Sequence, residues 1–198
     1  MNKKKEMLKQ VEEFLLSRIE PNLEKLEKYL EENKDVIAKD FIEKLNALSE
    51  LGIIQQRAEV KEPIKYLYIS YLRSSILTES YEFRLDLFND IIWLDKEETA
   101  VYWTLEFMFQ YIEQDVNDAK ELLRNEGPIP KFYFEEIKYI YSQCYFPFVI
   151  LVVDKIIEEA MAKSNFYRLV TAESCKVLFG GYMEQAEIIQ TINRGVQV

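Results

Sequence analysis

The sequence predicts an all-α fold, an irregular bundle of about six to eight helices forming a single domain over residues 1–198. Two observations predict it. Only five Gly and five Pro interrupt 198 residues, so the chain has few places to turn, and its apolar residues recur at intervals of three and four rather than two. A content of 48% hydrophobic, 30% charged and 14% aromatic residues is a globular balance, and a chain of this length can bury a substantial core.

Each element follows from local signals. A first helix is expected from about Lys3 to Ile19, with Met7, Val11, Phe14 and Leu15 on one stripe. Pro21 suits the first turn of a second helix carrying Leu23, Leu26 and Leu30. Residues 1–32 together read as an arm that can dock at the domain's periphery. Asn33 or Asp35 can cap a third helix with Ile37, Phe41, Leu45 and Leu48 on its face, and Gly52 can end it. After Glu62-Pro63 the segment to Leu94 reads as helix broken near Thr78–Ser80. Asp95 and Glu98 resemble a capping box opening a long central helix near 96–124, ended by "NEGPIP". A helix near 132–163 carries Pro147 in its interior, which predicts a kink. A last helix should stop at Gly180-Gly181 and give way to a short terminal one.

Composition excludes more functions than it supports. The chain contains no histidine, which removes the commonest general base and the commonest metal ligand together. Ser-His-Asp and Cys-His catalysis, His-zinc sites and His-ligated haem are therefore impossible within one chain. No Walker-type or Rossmann-type glycine pattern is present, and no cofactor is expected. A formal charge of −10 argues against binding nucleic acid, whose affinity comes from Lys and Arg displacing phosphate counterions. Cys144 and Cys175 lack the short spacing of a metal or redox pair and read as reduced thiols, which suits a cytoplasmic location. The strongest apolar run, "CYFPFVILVV" at 144–153, is about half the roughly 20 residues a membrane span requires.

The groups left for chemistry are carboxylates and tyrosines. In "VYWTLEFMFQYIEQD", Glu106 interrupts an apolar and aromatic run. A helical projection puts Trp103, Glu106 and Gln110 on one polar edge. A carboxylate buried there must be neutral or paired. In "YIYSQCYFPF", Tyr141, Gln143 and Tyr145 precede the Pro147 kink, and a kink can open a cavity between helices. The candidate ligand site is therefore Trp103, Glu106 and Gln110 facing Tyr141, Gln143 and Tyr145, with no catalytic residue and no metal. Glu79, Glu82, Asp86 and Asp90 fit one helix face by spacing and read as solvated surface.

These features lead to a non-enzymatic cytoplasmic domain that binds a small apolar or aromatic ligand or a protein partner in a regulatory or accessory role. A first alternative is a magnesium-dependent enzyme acting on a phosphorylated substrate, using Glu82 and Asp86 with Glu113 or Asp118. A second is a purely structural subunit of a homodimer or larger homo-oligomer.

Overall fold

The computed structural model describes residues 2–124 and 130–193. It overturns the all-α expectation: five α-helices and two short 3-10 turns accompany a five-stranded mixed sheet among the described residues, an α/β arrangement rather than a helical bundle.

The three helices expected before residue 57 are one, α1, Asn2–Arg57, about 84 Å long at 1.5 Å per residue. Its buried residues Val11, Leu15, Leu26, Leu30, Ile37, Phe41, Leu45 and Leu48 keep one face over the whole length, and that packing carries the helix through the two expected breaks. Pro21 lies inside it, removing one hydrogen bond without ending it. Gly52 is not a stop either. A Cβ there would stand 2.8 Å from Leu169 Cδ2 and 3.1 Å from Leu87 Cδ1, so its missing side chain lets α1 lie close against the sheet.

The segment expected as helix after Pro63 is β1 (Ile64–Tyr71), α2 (Arg73–Thr78) and β2 (Glu82–Phe88). A 3-10 turn at Ile92–Leu94 and β3 (Ala100–Thr104) follow. The long central helix is shorter than expected: α3 runs Glu106–Leu122. The kinked helix is two helices, α4 (Lys131–Gln143) and α5 (Phe146–Lys163). The break sits at Cys144 and Tyr145, whose amides bond the carbonyls three residues back, and Pro147 falls in the first turn of α5, where its missing N–H costs little. A 3-10 turn at Asn165–Arg168 leads to a hairpin of β4 (Thr171–Gly181) and β5 (Ala186–Asn193) where a helix and a terminal helix were expected.

Strand order is β3-β2-β1-β4-β5; β1 and β4 are parallel and the other neighbours antiparallel. The register aligns Leu67 with Leu87 and Val177, Ile69 with Leu85 and Phe179, and Phe83 with Trp103. These side chains form the face covered by helices: Phe41 of α1 meets Trp103 edge-on at 4.9 Å, and Phe146 of α5 meets Phe83 at 6.4 Å. Alternation puts Tyr68, Arg84, Asp86 and Phe88 on the other face. The connection 89–99 covers that face, with Trp93 edge-on to Tyr68 at 5.2 Å and to Phe88 at 5.1 Å. Two buried cations, Lys61 and Arg84, fix this strap through Asp95 and Glu98. Lys61 Nζ lies 2.7 Å from Asp95, both side chains being buried, and Arg84 binds Asp86 and Glu98 at 2.8 and 2.6 Å.

The stretch Lys131–Lys163 is long and apolar enough to cross a membrane by composition, but 56% of its most apolar window is buried inside this fold. Its apolar residues are used by the core.

Candidate ligand groove over a buried Asp115 network

The carboxylate that is buried in α3 is Asp115, not Glu106. Met108, Ile112, Asp115, Val116 and Ala119 are the buried stripe of the helix, so its spacing aims Asp115 into the core. Opposite it, Asn22 occupies a position on the buried stripe of α1 between Leu15 and Leu26. Tyr141 and Tyr145 come from the α4–α5 break, four residues apart and both buried. Asn22 Nδ2 donates to Asp115 Oδ2 at 2.7 Å and lies 3.2 Å from the Tyr145 hydroxyl; Tyr141 donates to Asp115 Oδ2 at 2.7 Å and meets Tyr145 at 2.9 Å.

This arrangement has one consistent proton order. Tyr141 gives its proton to Asp115, so its oxygen accepts from Tyr145, whose own oxygen accepts from Asn22. Burial, reinforced by Tyr145 and Asp115, pushes the Tyr141 phenol far above its ordinary value, and burial also raises Tyr145. Both stay protonated donors at neutral pH. Arg18 closes the network on the solvent side, its Nε 3.6 Å from Asp115 and its Nη2 3.1 Å from Asp118.

A groove of about 720 Å³ opens above the network, between the first turns of α1, helix α2 and helix α4. Its walls are apolar, built by Leu8, Val11, Leu15, Leu77, Ile137 and Ile140, and Tyr141 belongs to both groove and network. At the rim, Glu12, Glu135 and Glu136 outnumber Arg73. Arg73 is itself held: its Nη2 donates to Glu136 at 2.5 Å and its guanidinium lies 4.5 Å from the Tyr139 ring centre. Cys144, a half-buried free thiol, lies at the groove as well, and burial raises its pKa.

The wall formed by α4 is tied to α3 and to the α2–β2 turn by another buried cation. Lys138 pairs with Glu113 of α3 and, at 3.2 Å, with Glu79. Its Nζ is 5.5 Å from the Tyr81 ring, which stacks on Phe109 at 4.7 Å. Glu79 and Tyr81 both have left-handed backbone, with φ of 61° and 55°. The α2–β2 turn is therefore bent to bring both residues to Lys138.

Of the six residues expected to form the ligand site, the structure brings together Tyr141 and Tyr145 only. Trp103 is fully buried on β3 between Phe41 and Phe83. Glu106 is the first residue of α3 and exposed; Gln110 and Gln143 are exposed too. The carboxylates of the magnesium alternative are dispersed: Asp86 is held by Arg84, Glu113 by Lys138 and Asp118 by Arg18, while Glu82 lies on β2. No group of three or more metal-ligating side chains occurs among the described residues. Glu79, Glu82, Asp86 and Asp90 share no helix face, because Glu79 ends α2 and Glu82 and Asp86 belong to a strand. Sequence reasoning passed over Asn22, and it offers Asp115 only as an i,i+3 carboxylate pair with Asp118, although each is a polar residue at an apolar-stripe position.

Comparison with protein-family models, with curated proteins and with solved structures finds no match for this chain.

Proposed function

We propose that the chain is a non-catalytic, cytoplasmic binding protein whose groove takes a small, neutral, apolar or aromatic molecule. The observation that carries this reading is the groove itself. Its volume of about 720 Å³ lies within the range of small-molecule sites, and apolar walls with a few fixed polar groups are how such sites obtain affinity and orientation. The Asp115 network makes its floor rigid, which lowers the ordering cost of binding. The excess of carboxylates at the rim disfavours an anionic head group. The half-buried free thiol of Cys144 supports a reducing compartment.

The test uses N-phenyl-1-naphthylamine, a neutral aromatic probe whose emission rises in apolar surroundings. Emission is expected to rise saturably with protein. Ile140→Glu, a substitution at a position 55% exposed in the folded chain, is expected to weaken binding by roughly tenfold or more, because it sets a charge in an apolar wall. Undiminished binding by a folded Ile140→Glu variant would place the probe elsewhere and remove the support for this groove.

A further inference from the structure

The second feature independent of the groove is the outer edge of the sheet. β5, Ala186–Asn193, is the last strand in the order and pairs with β4 alone among the described residues. Edge strands are ordinarily protected by Lys, Pro or inward charges. This one reads AEIIQTIN, with no Lys and no Pro; its single charge, Glu187, lies near one end and leaves Ile188 to Asn193 uncharged.

Two cavities lie between β5 and α5, one toward each end of the strand. The first, about 380 Å³, is bounded by Phe146 and Ile150 of α5 with Ala186 and Glu187; the second, about 400 Å³, by Ile157, Met161 and Ala162 with Gln190 and Ile192. The register places Glu187, Gln190 and Ile192 on the helix-covered face, opposite Phe179, Val177 and Cys175, and the irregularity between Val177 and Leu178 absorbs the odd spacing. Along α5, Ile150 to Ile157 and Ile150 to Met161 correspond to about 10 and 16 Å. Side chains four residues apart on an added strand share a face and stand about 14 Å apart. An incoming strand thus has a side chain in register with each cavity.

We propose that β5 accepts an extended peptide of another protein as a sixth strand, with apolar residues four apart entering the two cavities and Lys or Arg flanking them. Main-chain bonds to the open edge supply affinity and the cavities supply selectivity. The basic flanks follow from Glu187 beside the first cavity and Glu158 beside the second, on a chain of net charge −10. The same charges oppose a second copy, which would bring Glu187 and Glu158 of its own.

The experiment titrates the full chain with fluorescein-labelled Lys-Thr-Ile-Thr-Val-Thr-Ile-Thr-Lys-amide, whose Lys and Ile share one strand face, and follows amide hydrogen exchange and peptide anisotropy. The expected result is protection confined to residues 186–193 and saturable binding that weakens roughly tenfold or more in Ala162→Phe, which fills the second cavity from an exposed helix position. A peptide with Glu in place of both Lys is expected to bind correspondingly more weakly. An unchanged melting temperature establishes that Ala162→Phe is folded. The proposal is overturned by an absence of binding at millimolar peptide, by protection elsewhere, by indifference to Ala162→Phe, or by β5 amides already protected in a dimer of the free protein.

Discussion

Asp115→Ala is expected to lower folding stability by about 3–5 kcal/mol, the usual cost of removing one partner from a buried charged or polar network. The loss has three sources. The Tyr141 hydroxyl and the Asn22 amide each lose an acceptor at 2.7 Å, and a buried donor left without a partner costs about 1–3 kcal/mol. Arg18 loses a partner that its remaining contact with Asp118 does not replace. Asp115→Asn keeps the shape and one acceptor oxygen, so its loss is expected to be smaller. Urea unfolding checks both: the midpoint should fall in the order wild type, Asn, Ala, with an unchanged slope.

The second large effect is expected at the strap. Asp95→Ala leaves the Lys61 ammonium buried without its carboxylate, and it strips the Asn89 and Glu97 amides of the acceptor they share. Lys61 retains the Glu97 carbonyl at 2.6 Å, which neutralises no charge. A cost of about 3–5 kcal/mol follows. Lys61→Met removes the charge and keeps the buried stem, and Asp95 then still accepts from two amides, so the milder variant is expected to be the lysine one. The strap carries Trp93, and the other tryptophan, Trp103, is buried under the helices. Loosening of the strap should therefore red-shift the Trp93 part of the emission before global unfolding. A cooperative loss with no early shift would mean that the strap and the core unfold as one unit.

The helices were legible where one face is apolar and the other wet. The apolar stripe of α1, the end of α5 at Lys163 and the end of α3 near residue 124 all come from such patterns. The central strands β1 and β2 were harder because most of their residues are buried, on both faces. In β1, "IKYLYISY", Leu67 and Ile69 face the helices while Tyr68 and Ser70 are buried beneath the opposite side, so no period of two emerges. β2 did carry the signal: Phe83, Leu85 and Leu87 alternate with Glu82, Arg84 and Asp86, but a 3,4,4 spacing of acids through the same stretch imitates a helix face. The left-handed turns at Glu79, Tyr81 and Ile92 use residues that do not announce a turn; the break expected near Thr78–Ser80 falls at the end of α2, but the change from helix to strand on either side of it carried no signal. The acid buried in α3 is Asp115, nine residues beyond the Glu106 that the sequence singled out, because the helix begins only at Glu106 and leaves that residue exposed.

The groove account is tested most directly by the rate at which N-ethylmaleimide alkylates Cys144, read by intact mass with and without N-phenyl-1-naphthylamine. Cys144 is at the groove and half-buried, whereas Cys175 is 2% exposed, so the first adduct reports on the groove. A saturating probe is expected to slow that adduct, with the same concentration dependence as the rise in emission. An alkylation rate that stays constant while the emission saturates would contradict binding at this groove.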